Sequence, residues 1–304
     1  MSTEPALSPL GLADHLSALV EQRLGKLTQS LKASHRERSV DAVHDLRVAS
    51  RRLRAFGVTF GELLGDKLSG RLEQQLRRVT RAVGALRDLD VQVGMLEERV
   101  VATSHELERA ALEHLLLQLA ERRAPVAAKA EKRLHKLDEA ALSRLVRRAA
   151  GGVITELASV QGQRGFATAL LARLVADAAE QVPSTDGGEQ PERLHRLRID
   201  CKEIRYALEF FEPILGSHFQ LLYDRATALQ NLLGTYHDLT TLGEVMAERG
   251  GELERKGHHT LGVGVKRAED AFTDQRQEVL ARFRNRGFDP SWWRERLNDA
   301  LAPG

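Results

Sequence analysis

The sequence predicts an all-α fold built of long antiparallel helices. Three observations lead to this fold class. Leu, Ala, Arg and Glu dominate the 304 residues, and aromatic residues make up only 5% of them, a composition that favours helices over sheets. Apolar residues recur at three- and four-residue spacing through most of the chain. No pair of segments shows the alternating apolar and polar pattern of paired strands.

Helical periodicity can be followed element by element. Before residue 182 it covers 10–33, 39–60, 66–98 and 105–122, and two or three further helices are expected in 125–181. After residue 190 it covers 191–212, 217–249 and 265–283. In the pattern at 39–60, one apolar face carries Leu46, Ala49, Leu53, Phe56 and Phe60. That face predicts a helix packed against a core.

Two segments interrupt the helical pattern. Residues 182–191, VPSTDGGEQP, combine turn-forming residues with no apolar periodicity and predict a linker. The linker divides the chain into a first half at 1–181 and a second half at 192–304. Residues 256–264, KGHHTLGVG, predict a connecting loop.

The two halves share a motif. VHDLRVASRRLR begins at residue 43 and LHRLRIDCKEIR at residue 194, so His44 aligns with His195 at an offset of 151. A second pair of segments, VGALRDL at 83–89 and LGTYHDL at 233–239, aligns at an offset of 150. Two aligned pairs in the same order predict a tandem duplication.

Basic residues occupy one stripe of each motif helix at spacings of three, four and three. The first cationic row consists of His44, Arg47, Arg51 and Arg54. The second cationic row consists of His195, Arg198, Lys202 and Arg205. Arg52 lies off the stripe and is replaced by Glu203 in the second half. Basic character is therefore kept at the row positions and lost beside them.

Such a row has a physical consequence. A single basic helix face is usually only solvated, but here the row occurs twice in register and lacks acidic residues at helical spacing. Four cations about 5–6 Å apart repel one another unless an anion lies over them. Arginine presents a planar fork that suits phosphate oxygens, and lysine presents a point charge. Two facing rows predict a channel for an extended polyanion.

These motifs resemble the CHAD family, the conserved histidine α-helical domain. The resemblance rests on VHDLRVASRRLR, LHRLRIDCKEIRY, VGALRDLDV and LQNLLGTYHDL, and covers nearly the whole chain. It implies two pseudo-symmetric halves, each like a four-helix bundle, that flank a basic groove and together form one CHAD domain. It also implies binding of inorganic polyphosphate, association with polyphosphate granules, and neither catalysis nor a cofactor. No segment resembles the CYTH domain attached in some members, so a stand-alone form is expected.

The resemblance extends the site to a third block, LRRVTRAVGALRDLD. Arg77, Arg81 and Arg87 match basic positions of the family there. In the second half their places are taken by Thr227, Asn231 and His237. The resemblance therefore implies a less cationic second half and an asymmetric grip on the ligand.

Other functions remain open at this stage. Arginines near Trp292 and Trp293 are compatible with binding of single-stranded nucleic acid, although a terminal helix that buries both rings is favoured. His44 or His195 could serve a phosphotransferase or phosphohydrolase, or ligate a metal. The arginines around them would repel a cation, so no metal is expected. A general polyanion binder is a further alternative.

Composition restricts the remaining classes. The net charge is only +2, so any anion site must come from local clustering. Cys201 is the one cysteine, which excludes an intramolecular disulfide and fits a reducing compartment. The start of the chain lacks a secretory signal, and no apolar run is long enough to cross a membrane. We expect a cytoplasmic protein without a membrane partner, whose oligomeric state the sequence does not specify.

Overall fold

The protein was analysed as a computed structural model, which describes residues 9–36, 39–157, 160–183 and 190–302. Within these ranges every regular element is helical, and this confirms the all-α class. In chain order the helices are α1 (Pro9–Arg36), α2 (Val40–Thr59), α3 (Gly61–Ala102), α4 (Glu106–Leu134), α5 (Glu139–Glu156), α6 (Val160–Gln181), α7 (Pro191–Phe210), α8 (Glu212–Leu215), α9 (Phe219–Arg255), α10 (His259–Arg286) and α11 (Pro290–Leu301). A short 3₁₀ turn, Gly216–His218, precedes α9.

The long helix α3 is bent near its start. Gly65 has a φ of 66°, a left-handed conformation that glycine adopts without a steric penalty. The helical geometry is interrupted at this residue and resumes after it. The bend explains why apolar periodicity in the sequence begins only near residue 66.

The loop expected at 256–264 is mostly helix. Residues 256–258, which include Gly257, connect α9 to α10, whereas Gly262 and Gly264 lie inside α10. A Cβ atom on Gly264 would stand 2.1 Å from the carbonyl oxygen of Leu107 on α4. Glycine is needed there because two helix backbones approach closely, and its presence does not indicate a turn.

The helices form two compact units. Unit 1 contains Met1–Arg81, Lys136–Gln230 and Phe288–Gly304, and unit 2 contains Ala82–His135 and Asn231–Gly287. Each unit thus takes helices from both sides of the expected linker. The halves at 1–181 and 192–304 and their pseudo-symmetry stay predictions. Most of the linker itself, at 184–189, lies outside the described residues.

Unit 2 consists of the later parts of α3 and α9 together with α4 and α10. Helix α10 packs against α4. Asp90, which is buried, accepts a hydrogen bond from Arg123 Nε at 2.8 Å and ties α3 to α4.

In unit 1 an aromatic cluster joins the ends of the two motif helices. Phe60 lies just after α2 and is fully buried. Its ring centroid is 5.2 Å from that of Phe210, 5.8 Å from that of Phe211 and 5.9 Å from that of Phe166 on α6. Such ring pairs contribute beyond the area they bury. The cluster therefore fixes the C-terminal ends of α2 and α7 beside each other.

Candidate functional site

Helix α2 begins at a capping residue and separates an apolar face from a basic one. The Ser39 hydroxyl accepts a hydrogen bond from the Ala42 amide at 3.2 Å, which satisfies an otherwise unpaired N–H of the first turn. The apolar face predicted from the sequence is buried along its whole length, as Leu46, Ala49, Leu53, Phe56 and Phe60 show. The first cationic row lies on another face, with His44 exposed and its three arginines half-buried.

Helix α7 has the same organisation. Pro191 occupies its first turn, where the missing N–H has no consequence and the fixed φ suits a helix. Leu194, Leu197 and Ile204 point into the core. All four members of the second cationic row are half-buried.

Members of the two rows face each other across a narrow space in unit 1, here called the α2–α7 cleft. Arg51 and Arg54 line it from α2, and Lys202, Glu203 and Tyr206 line it from α7. The N-terminal members of the rows, including His44 and His195, do not line this cleft. The structure thus places Arg51 and Arg54 of the first row opposite Lys202 of the second row, whereas Arg205 does not line the cleft.

The cations in the cleft perturb one another. Burial lowers the pKa of Lys202 to about 8, and the positive charges of Arg198, Arg51 and Arg54 contribute to that decrease. Burial also lowers the pKa of Arg51, and the positive charges of Arg47 and Arg205 lower it further. Positive charges brought close together at half-buried positions lower one another's pKa in this way.

His195 responds in the same direction. Burial lowers the pKa of its imidazole, and the neighbouring charges of Arg198 and Lys202 lower it further. These surroundings therefore favour the neutral form of the ring. A phosphate group placed over the second row would favour the protonated ring, because an opposite charge stabilises the charged form.

Carboxylates limit the cleft on one side. Burial raises the pKa of Glu203, which lines the cleft, and Lys202 and Arg54 act against that increase. The pKa of Asp200 rises to about 6, chiefly through burial and then through the charges of Glu203 and Asp177. Among the described residues, neither Arg54 nor Lys202 forms an ion pair with these groups.

Two arginines of the rows keep a buried donor unused. The Nε atoms of Arg51 and Arg205 are inaccessible to solvent and have no hydrogen-bond partner within the described part of the chain. A buried N–H without a partner costs free energy. An anion that reaches these donors would remove that cost.

Four residues that hold Arg205 in place were missed from the sequence. The guanidinium of Arg205 lies 4.7 Å from the ring centroid of Tyr206 and 5.9 Å from that of Tyr223. The Tyr223 hydroxyl donates to Glu209 Oε1 at 3.2 Å, and Glu209 forms a buried ion pair with Arg23 of α1. No sequence signal identifies this network, because Tyr206 and Glu209 lie among core residues of α7 and their partners lie on other helices.

The arginines of α3 are placed differently. Arg77 is exposed and forms an ion pair with Glu73, with 2.5 Å between the charged groups. Arg81 is exposed as well. Thr80, next to Arg81, donates a hydrogen bond to the Ser50 hydroxyl at 3.1 Å and so holds this part of α3 against α2.

Arg87 is half-buried and belongs to unit 2. His237 and Asn231, which align with basic positions of the first half, are in unit 2 as well, whereas Thr227 is in unit 1. The contribution of Arg77, Arg81 and Arg87 to a binding site stays a prediction.

Of the two terminal tryptophans, which the sequence predicts to be buried together, only Trp293 is part of the core of unit 1. Trp293 is 1% exposed and stacks on Phe288 with 5.9 Å between ring centroids. Trp292 is half-buried and lies 5.5 Å below the guanidinium of Arg225. Trp293 is therefore not accessible for stacking on a base.

Within the described ranges of the chain, no group of three or more His, Cys, Asp or Glu side chains is arranged to hold a metal ion. No helix there is long and apolar enough to cross a membrane.

Comparison with known proteins identifies related sequences. A family model described as the CHAD domain matches residues 18–247. Two uncharacterized proteins of Mycobacterium tuberculosis, from strains CDC 1551 and H37Rv, are each 25% identical over 240 residues, which is 76% of this chain and 45% of theirs. The chain therefore spans less than half the length of these relatives.

Solved structures show the same fold. The crystal structure of the CHAD domain from the plant Ricinus communis matches with a TM-score of 0.61 and 22% identity, over 96% of this chain and 93% of that one. PptA from Streptomyces chartreusis matches with a TM-score of 0.60 and 20% identity, over 96% and 99%. At these identities the similarity establishes the fold alone.

Proposed function

This chain belongs to the CHAD domain family, and from that premise we propose that it binds inorganic polyphosphate through its two cationic rows. The observation that carries the proposal is the α2–α7 cleft, where Arg51 and Arg54 face Lys202 across a narrow space. Positive charges that repel one another in the free protein are stabilised by a ligand with closely spaced negative charges.

The dimensions of the rows suit a chain and not a single ion. From His44 to Arg54 a helix rises about 15 Å, at about 1.5 Å per residue. The row therefore offers successive contacts along one direction. Polyphosphate carries a charge on every repeating unit and no bases, so it needs no aromatic stacking surface. The burial of Trp293 agrees with such a ligand.

In this proposal the protein binds polyphosphate and does not hydrolyse it. It places the protein in the cytoplasm, in association with polyphosphate granules. Fluorescence microscopy of a tagged chain in cells that contain granules and in cells that lack them tests the second part. Release of inorganic phosphate from polyphosphate, abolished by His44→Ala, would instead indicate a phosphohydrolase.

The decisive experiment is a titration of labelled long-chain polyphosphate with wild type, with Arg51→Ala/Arg54→Ala, and with Arg144→Ala/Arg148→Ala. Arg144 and Arg148 are exposed on α5, so the control removes the same charge elsewhere on unit 1. We expect the cleft variant to bind roughly a hundredfold more weakly, since a hydrogen bond to a charged group contributes about 1.5 kcal/mol or more. Equal losses in both variants would contradict a site in the cleft.

Salt dependence and competition give two further readouts. Each lost phosphate contact makes the slope of log K against the logarithm of the salt concentration less steep by about 0.7. The slope for the double variant should therefore be less steep than that of wild type by about 1.4. Unlabelled polyphosphate should displace the probe better than single-stranded DNA or RNA matched by phosphate number. Equal displacement by nucleic acid would indicate a general polyanion site.

A further inference from the structure

A second pocket of unit 1 lies between α1 and α2 and has a volume of about 340 Å³. Its polar lining consists of Arg23, Lys26, Gln29, Ser30, Asp45 and Arg52. No residue lines both this α1–α2 pocket and the α2–α7 cleft. The two spaces use different faces of α2, which explains why Arg52 lies off the cationic row.

The α1–α2 pocket has an excess of available positive charge. Arg23 is buried, and its charge is balanced by the ion pair with Glu209. Lys26 and Arg52 form no ion pair among the described residues, and the Nε atom of Arg52 is buried without a hydrogen-bond partner there. Asp45 is the one carboxylate in the lining. Two unbalanced cations against one carboxylate favour an anionic ligand.

An equivalent pocket in the same unit has the opposite charge. The α6–α7 pocket has a volume of about 240 Å³ and is lined by Asp177, Glu180, Gln181, Arg196, Ile199 and Asp200. Each of these residues lies 151 positions after a lining residue of the α1–α2 pocket, which is the offset between the two motifs. Lys26 thus corresponds to Asp177, and Asp45 to Arg196. Arg52 corresponds to Glu203, which lines the α2–α7 cleft and not the α6–α7 pocket.

The reversal shows that packing does not require the positive charges. Lys26 of α1 corresponds to Asp177 of α6, whereas Asp45 of α2 corresponds to Arg196 of α7, so the same helix packing accepts either sign of charge. The packing therefore leaves the positive charges of Lys26 and Arg52, beside the buried Arg23, available to a ligand of the α1–α2 pocket.

The size and the remaining lining indicate the kind of ligand. A volume of about 340 Å³ lies within the range of about 300–1,000 Å³ for small-molecule sites and exceeds what one inorganic anion fills. Part of the wall is apolar and made of small side chains, namely Ala33, Ala42, Val48 and Ala49. A pocket with a cationic part and an apolar part suits a molecule with both.

We propose that the α1–α2 pocket binds a small phosphorylated organic molecule. Its phosphate group contacts Lys26 and Arg52, with the Gln29 amide and the Ser30 hydroxyl as neutral partners. Its organic part packs against the wall of small apolar residues. The site is separate from the polyphosphate site and does not depend on it.

Isothermal titration calorimetry of the full chain tests the proposal with AMP, glucose 6-phosphate and inorganic phosphate as probes. We expect saturable binding of a phosphomonoester with one site per chain, and weaker binding of inorganic phosphate. Lys26→Asp and Arg52→Glu, which introduce the residue types found at the corresponding positions Asp177 and Glu203, should each lower the affinity about tenfold or more. Lys67→Asp makes the same charge change on an exposed part of α3 and should leave the affinity unchanged.

The nuclear magnetic resonance signal of the Arg52 Nε–H group adds a direct readout, since it should shift when the phosphomonoester binds. Lys26→Asp alters an exposed residue, so it remains informative if Arg52→Glu fails to fold. The proposal would be overturned if neither AMP nor glucose 6-phosphate showed saturable binding. Equal affinity for inorganic phosphate, or equal losses in Lys26→Asp and Lys67→Asp, would overturn it as well.

Discussion

Replacing Lys202 by Met is expected to stabilise unit 1 and to weaken polyphosphate binding. Lys202 is half-buried among arginines, and its pKa falls from 10.5 to about 8 because burial and like charges disfavour the ammonium form. This difference corresponds to roughly 3 kcal/mol, at 1.36 kcal/mol for each tenfold change in the proton equilibrium. Met keeps the aliphatic part of the side chain and removes the charge.

The stability of the wild type is expected to change with pH, because Lys202 loses its proton at a lower pH in the folded state than in the unfolded state. Below pH 8 both the folded and the unfolded wild type are protonated at Lys202, so the folded state bears the full destabilisation. Between pH 8 and 10.5 the unfolded state binds a proton that the folded state does not, so the stability of the wild type rises with pH. The advantage of Lys202→Met should therefore be about 3 kcal/mol at pH 7 and less than half of that at pH 9.5.

Equilibrium unfolding in urea measures this difference at low ionic strength. The chain has two tryptophans, Trp292 and Trp293, and both belong to unit 1, so their fluorescence follows the unit that contains Lys202. Lys67→Met, at an exposed position of the same unit, is the control and should change stability by no more than about 0.5 kcal/mol. Polyphosphate affinity of Lys202→Met should fall about tenfold.

Two outcomes would refute the reasoning. A Lys202→Met variant that is less stable than wild type at pH 7 would mean that the ammonium group is stabilised in the folded protein, in conflict with its surroundings. A stability difference that stays constant from pH 7 to 9.5 would mean that Lys202 does not titrate in that range.

Three further predictions concern packing. Glu209→Gln should destabilise unit 1 by about 3 kcal/mol in urea unfolding, because it leaves Arg23 buried without its carboxylate; a change below 1 kcal/mol would show that the pair is not important. Phe60→Ala should cost about 3–5 kcal/mol in the same assay, whereas Val58→Ala at an exposed neighbour should cost little. Gly264→Ala should destabilise unit 2 by at least about 1–3 kcal/mol, measured by amide hydrogen exchange of α4 and α10, since its Cβ would overlap the Leu107 carbonyl; unchanged exchange would contradict the close approach.

Much of the fold was predictable from periodicity. A repeat of three and four residues reports which side of a helix is buried, and the buried face of α2 from Leu46 to Phe60 was predicted correctly. Boundaries were less predictable. The glycines at 262 and 264 resembled a loop because the sequence does not show that the backbone of α4 lies against them.

The site was predictable in part for the same reason. The members of each cationic row share a stripe of one helix, so spacing alone identified them. Spacing does not reveal that Arg51 and Arg54 lie opposite Lys202 while His44 remains exposed. It also gave no sign of the network through Tyr223, Glu209 and Arg23, which joins three helices.

By itself the sequence determined the helical class, the repeated motif and the two cationic rows, because each depends on residues close together along the chain. Only the tertiary structure decided which cations meet, which of them are buried, and which sign of charge each pocket carries. These properties depend on contacts between residues far apart in sequence, such as Phe60 with Phe211 and Arg23 with Glu209. Burial and charge proximity arise from such packing, and both set the pKa of Lys202.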